Sequence, residues 1–380
     1  MIFVAETMNG DRVEYRDAKR WLWVFSFVPA LLPLISYSAY FLTNQSPHWV
    51  WGPLLFAYVF IPVVDVLIGE DRHNPPEEVV NQLAEDPFYT RLLHVAVALY
   101  FSAFAISVWF LATADLPFWA QAMVTVSAGV ISGTSLTVGH ELGHKTGFWQ
   151  RVSAKLINGL SWYGHFTSEH NTGHHTQVAT PEDSASSRYN ESLYAFMRRE
   201  MPDGVRRGLR IERERLAKRG LSFWHWRNEA LQCYAVSLVM GAVCVAALGW
   251  WAIPFLIVHN FYSWQQLTLA NYVEHYGLKR ERKPNGKYEP CQPKHSWNTN
   301  HIFSNLLLFH LQRHSDHHAN PMRPYQALRD FEALPRLPSG YPGCFVLAFV
   351  PPLWFRVMNP KVLDWAGGDM SKVNTGPEAA

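Results

Sequence analysis

Residues 21–43 read WLWVFSFVPALLPLISYSAYFLT, 23 positions without one Asp, Glu, Lys or Arg. A bilayer core is spanned by about 20 apolar residues in a helix, so this stretch is long enough to cross. A secretory leader has a shorter apolar core and a small-residue cleavage site, so the stretch predicts a retained helix. Similar blocks follow at 48–69, 92–114, 116–139, 231–250 and 252–272. They predict an all-α fold, a six-span transmembrane bundle arranged as three hairpins. Helices of a soluble protein would show a polar face that these blocks lack.

The connections set the orientation. NQSP (44–47), TADLP (113–117) and GWWAIP (249–254) are short and carry no Lys or Arg, whereas Arg12, Arg16, Lys19, Arg20, Arg72 and Arg91 lie on the other side. The positive-inside rule then places both termini and the large polar segments in the cytoplasm, at a bacterial inner membrane. Expected are an N-terminal four-helix membrane part (1–144), a basic insert (145–230), a last hairpin (231–275), a cytoplasmic C-terminal region (276–370) and a disordered tail (371–380). Residues 344–358 (CFVLAFVPPLWFRVM) are apolar but short and split by two prolines, which suits an interfacial segment. The insert concentrates its charge in VRRGLRIERERLAKRG (205–220), expected as a solvated helix facing anionic headgroups or as a landing face for an acidic partner.

Over the whole chain the net charge is only +2, which gives no argument for nucleic acid. The four cysteines (Cys233, Cys244, Cys291, Cys344) are far apart and form no C-x-x-C pair, so a disulfide framework or an iron–sulfur site is not expected.

Half of the 18 histidines fall in four short clusters, all at or beyond the predicted cytoplasmic helix ends. HELGHK carries His140 and His144, EHNTGHH carries His170, His174 and His175, NYVEHYG carries His275, and LQRHSDHH carries His314, His317 and His318. Alone, HELGHK is a zinc-protease signature with Glu141 as base. A catalytic zinc takes three protein ligands, however, and nine histidines are too many for one. Nine suit two metals with four or five imidazoles each. Asp65, the only acid in its block, is expected to touch the cluster, to pair with Arg72 or to lie exposed at the headgroups. Glu141, Glu169, Glu274, Asn271 and His310 are candidates for orienting the imidazoles. Adjacent helical residues point apart, so exposed or capping roles fit the three glutamates equally. His165 and His301 are further candidate ligands, and His48, His73, His225 and His295 are expected to be ordinary surface or core residues.

These motifs, with GEDRHNPPEEVV, the run HSWNTNHIFSNLLLFHLQRHSDHHANPMRPYQALRDF, LPSGYPG and DWAGGD, resemble the integral-membrane alkane 1-monooxygenases. That family belongs to the membrane di-iron class of histidine-box desaturases and hydroxylases. The resemblance runs from about residue 15 to about residue 370, and NYVEHYG with the C-terminal run narrows it from the class to the family. It implies a non-haem di-iron centre held by the nine histidines and terminal hydroxylation of n-alkanes with O2. It also implies electrons from rubredoxin, reduced by a flavoprotein reductase. An unpolarised C–H bond offers nothing to acid–base catalysis, so an oxidising metal centre is needed and the protein supplies placement and dryness. An alkane without a polar handle would enter from the bilayer, and Phe56, Ala57, Tyr58, Leu136 and Leu306 to Leu308 are among the residues that could line its path. The alternatives are an acyl desaturase or fatty-acid hydroxylase of the same class, an intramembrane zinc protease, and a metal transporter, whose ligands would lie near mid-membrane.

Overall fold

The computed structural model of the chain describes residues 1–376 and is mostly helical. Among the described residues, five segments are long and apolar enough to cross a membrane: Leu22–Leu42, Pro47–Ile68, Pro87–Thr113, Phe118–Gly143 and Glu229–His275. The last, at 47 residues, holds two helices, Glu229–Leu248 and Ala252–His275, which pack on each other across a one-turn link, Gly249–Trp251. Gly249 takes φ +57°, a left-handed conformation that favours glycine and reverses the chain there.

Phe118–Gly143 is the central helix, packed against Pro87–Thr113, Ala252–His275 and the polar-end helix Phe148–Leu160. Its small residues allow that closeness: a Cβ on Gly129 would meet the His259 carbonyl at 2.6 Å, and one on Gly133 would meet Gln266 Cγ at 2.5 Å. Pro47–Ile68 is peripheral and presents Leu55, Val59, Phe60, Val63, Val66 and Leu67 outward, an apolar surface that a bilayer would cover. The third segment starts where Asp86 accepts a hydrogen bond from Phe88 N and Pro87 occupies the first turn. The fourth outlasts its expected end at 139 by a full turn, which puts His140 on the helix and His144 at its cap.

The helix Leu193–Ala217, begun by Ser192 accepting from Ala195 N, covers the histidine-bearing end. The solvated helix expected for the basic stretch is only half right. Arg206, Arg210 and Arg213 are exposed, but Arg207 and Glu212 are buried against the segment of the second histidine cluster. Residues 276–340 contain little regular structure and are held by buried hydrogen bonds. Arg313 donates to the carbonyls of Asp71 (2.7 Å) and Leu328 (2.7 Å), so the GEDRHN stretch anchors the last histidine cluster. Pro351 begins a second helix, Pro351–Trp365, after the short Tyr341–Ala348, and neither is long enough to span.

Two features depart from expectation. A β-hairpin, Ile2–Glu6 paired antiparallel with Arg12–Arg16, precedes the first apolar segment, so the fold is not purely helical. Residues 371–376, expected within a disordered tail, are tied down: Leu278 and Val373 form a bridge, Asn374 N donates to the Gly277 carbonyl, and Tyr189 N donates to the Asn374 carbonyl. The remainder of that tail, 377–380, lies outside the described residues. The four cysteines are free thiols, as read from their spacing.

Candidate metal centre

All nine clustered histidines converge at one end of the bundle, and they divide into two groups. His140, His144, His170, His175 and His317 bring one ring nitrogen each to within 4.8 Å of one another; His174, His275, His314 and His318 do the same beside them. The groups adjoin, with the rings of His175 and His318 4.4 Å apart between centroids. Eight of the nine are buried and His175 is half-buried.

Local helix geometry makes this division. On an α-helix, residues i and i+5 diverge by about 140°. Here Glu169–His174 forms a π-turn, a wider coil that often marks functional sites. It brings His170 Nε2 to 3.0 Å from His175 Nε2 and sends His174 to the other group. The short helix His314–Ala319 splits likewise. His314 and His318, one turn apart, meet at 2.8 Å in the second group, while His317 reaches 3.2 Å from His175 in the first.

The donors suit metal ions. Ring nitrogens bound about 2.1 Å from an ion at right angles would lie about 3 Å apart. Four nitrogen pairs lie 2.8–3.2 Å apart: His314–His318, His170–His175, His174–His318 and His175–His317. His140 Nε2, His144 Nε2 and His275 Nε2 are buried without a hydrogen-bond partner, a costly state that a cation between the rings would relieve. Burial, and then the charge of neighbouring imidazoles, pushes His144, His170, His314, His317 and His318 well below the usual histidine range. They are therefore neutral, as coordination requires.

Carboxylates distinguish the second group. His174 Nδ1 donates to Asp183 Oδ2 at 2.9 Å, which leaves Nε2 facing the group. Burial lowers the His174 pKa, but Asp183 outweighs it and the net shift is upward. Asp183 is itself fixed by Ser186 Oγ (2.7 Å) and Arg207 (3.2 Å). Burial opposes its ionisation, yet His174 and Arg207 hold its carboxyl below the usual range. Glu274 Oε2 lies 3.1 Å from His314 Nε2 and 4.0 Å from His275 Nε2.

Asp183 was missed because it stands in a loop eight residues past His175, outside any cluster. Glu274 was noticed, but the rule that adjacent residues point apart misled: every residue from Gln265 to His275 is buried, so both sides of that helix end are interior. Neither Glu141 nor Glu169 is exposed. Glu141 turns to Lys145 (2.8 Å) and accepts from Tyr325 N, and Glu169 faces Arg207 (3.5 Å), its carboxyl raised to about 7 by burial against that guanidinium's pull.

The other candidates lie outside both groups. Asp65 accepts from Ser304 N (2.9 Å), and Arg72 pairs with Glu70 instead of Asp65. Asn271 donates to Glu200 (3.2 Å). His310 bonds through Nδ1 to the Tyr325 carbonyl (3.0 Å), His165 to Tyr234 Oη (2.8 Å) and His301 to Thr299 Oγ1 (2.7 Å).

Two separate comparisons bear on the family of the chain. A family model described as fatty acid desaturase matches residues 117–348. The chain is 45% identical over 366 residues to the alkane 1-monooxygenase of Ectopseudomonas oleovorans, covering 95% of this chain and 90% of that protein. It is 44% identical over 372 residues to alkane 1-monooxygenase 1 of Alcanivorax borkumensis, covering 97% and 91%. The chain belongs to the alkane 1-monooxygenase family. It is an oxidoreductase of the membrane histidine-box class, a di-iron class. A more distant relative, the xylene/toluene monooxygenase hydroxylase component of Pseudomonas putida, is 29% identical over 245 residues, 63% of this chain and 64% of that one. The protease reading of HELGHK gives way, since His140 and His144 join seven other imidazoles and Glu141 faces Lys145.

Proposed function

We propose that this protein converts the terminal methyl of n-alkanes to a primary alcohol at two iron ions. The overall change is R–CH3 + O2 + 2 e⁻ + 2 H⁺ → R–CH2OH + H2O. The observation that carries this reading is the division of nine imidazoles into groups of five and four. His140, His144, His170, His175 and His317 would hold one ion, and His174, His275, His314 and His318 the other. Bound iron would supply the electrons and the oxidising power that O2 cleavage and attack on an unactivated C–H bond require.

The chain's own residues do the rest. Asp183 keeps His174 in the tautomer that presents Nε2. Phe166 stacks on His170 (5.0 Å), and Leu136, Tyr163 and Leu267 pack with it, a dry roof over the imidazoles. Further along the central helix, Val130, Ile131 and Thr134 line a narrow apolar cavity with Phe56, Ala57, Tyr58, Leu307 and Leu308. Five of those eight were candidates from sequence; Leu136 lies in the roof instead, and Leu306 belongs to the main core. We assign this cavity to the alkane, whose end methyl would point toward the imidazoles.

Electrons would come from rubredoxin, reduced by its reductase. The exposed Arg206, Arg210 and Arg213 offer an acidic donor a landing face on the helix whose inner side carries Arg207 to Asp183. The 47-residue segment read as a hairpin would make six crossings, and the charge bias supports a histidine end facing the cytoplasm from a bacterial inner membrane. The test incubates purified protein with rubredoxin, reductase, NADH and n-octane under ¹⁸O2. Labelled 1-octanol is expected; no labelled alcohol, or preferential turnover of acyl substrates, would overturn the reading. Reduction rates insensitive to ionic strength would remove the landing face.

A further inference from the structure

On the histidine-bearing end, away from the imidazoles, a groove of about 560 Å³ opens between Phe148–Leu160, the end of Leu193–Ala217 and the start of Glu229–Leu248. Five cations line it: Arg151, Lys155, Arg215, Arg219 and Arg227. One acid lines it too, Glu229, and it is engaged by Arg151 and, at 3.9 Å, by Lys155. Glu212 takes Arg215 (2.8 Å). Among the described residues, Arg219 and Arg227 have no carboxylate partner, and Arg227 rests 5.2 Å from the Trp226 ring. The groove thus has two guanidiniums to spare.

Its floor is apolar. Val152, Leu156 and Val236 line it, and Val236 lies within a segment apolar enough to cross a membrane. Phe148 and Trp226 line it as well, and these two, with Trp149 and Trp224 close to them in sequence, are each at least 70% exposed. Exposed tryptophans at a helix end mark the depth of the headgroups. Spare positive charge above, aromatic rings at the rim and an apolar wall below match a molecule with an anionic phosphate head and a hydrocarbon tail. A protein donor would need the charge but not the apolar floor.

We infer that this groove binds one acidic phospholipid, its phosphate on Arg219 and Arg227 and its acyl chain against Val236. A second cavity shares Arg151, Lys155 and Glu229 and continues inward to Gly143, Thr167, Ser168 and Asn171. There Asn171 Nδ2 donates to the Gly143 carbonyl (2.9 Å), joining the segments that bear His144 and His170. A lipid that binds the folded groove and not the unfolded chain raises thermal stability by mass action.

The test titrates delipidated, metal-loaded protein with phosphatidylglycerol or phosphatidylcholine of equal chain length, reading discrete adducts by native mass spectrometry and the Tm. Phosphatidylglycerol alone should give a one-to-one adduct and raise the Tm. At about fivefold per charge, R219A/R227A should weaken the adduct about 25-fold. K283A/K287A removes the same charge from an exposed hairpin and should leave the adduct intact. Helical content and metal content confirm that R219A/R227A is folded. Equal binding of both lipids, or undiminished binding to R219A/R227A, would overturn the inference. So would a full Tm shift from glycerol phosphate alone, or donor binding lost in R219A/R227A without any lipid preference. No turnover enters the readout, so the outcome is independent of the proposed reaction.

Discussion

The two imidazole groups share the π-turn 169–174 with its following residue and the helix His314–Ala319, yet their surroundings differ. Among the described residues, no carboxylate is bonded to any ring of the five-imidazole group. Phe166 covers His170, and His175 is half-exposed. The four-imidazole group is wholly buried and has two carboxylates in contact, Asp183 on His174 and Glu274 beside His314 and His275. A dication brought into a dry site is favoured by nearby anions. On the proposed reading, the second group would hold an ion more tightly, and the first would leave one more accessible to a small ligand under an apolar roof.

That contrast can be broken in order of effect. Replacing one donor from each group, His144→Ala and His275→Ala, should abolish product formation in both proteins and cost each one ion; loss of both ions from His144→Ala would mean the groups are not separable. Asp183→Asn and Glu274→Gln should weaken metal binding about 10–100-fold in the second group only. Equilibrium metal titration checks this, and an equal loss from both groups would remove the distinction. Chelator treatment of the wild type should release metal in two phases, the first-group ion leaving first. Val130→Phe fills the apolar cavity at a cost of about 1–3 kcal/mol of stability. It should shift products toward shorter alkanes with metal content unchanged, as gas chromatography would show. His225→Ala, outside both groups, should change stability by less than about 0.5 kcal/mol and leave activity intact.

Some of this architecture is legible from residues alone, for physical reasons. Charge-free blocks announce membrane helices because a bilayer tolerates no alternative, and imidazoles gather in short segments because the helix repeat lets one turn present several donors. The division of those donors is not legible, because it depends on a π-turn that the sequence EHNTGHH does not advertise. Proximity in sequence also misled. His310 is one turn from His314 but serves the Tyr325 carbonyl, and Asp65, the one acid of its segment, serves Ser304 N. Asp183, distant from every cluster in its loop, arrives on His174 only through the tertiary fold, held by Arg207 from inside the helix whose outer face had seemed its whole purpose.

Metal analysis of the purified protein, with X-ray absorption at the iron edge, bears on all of this at once. Two irons per chain are expected, with ligand scattering dominated by imidazole and with one iron remaining in each of His144→Ala and His275→Ala. A single ion per chain, or zinc in place of iron, would contradict the two-group centre.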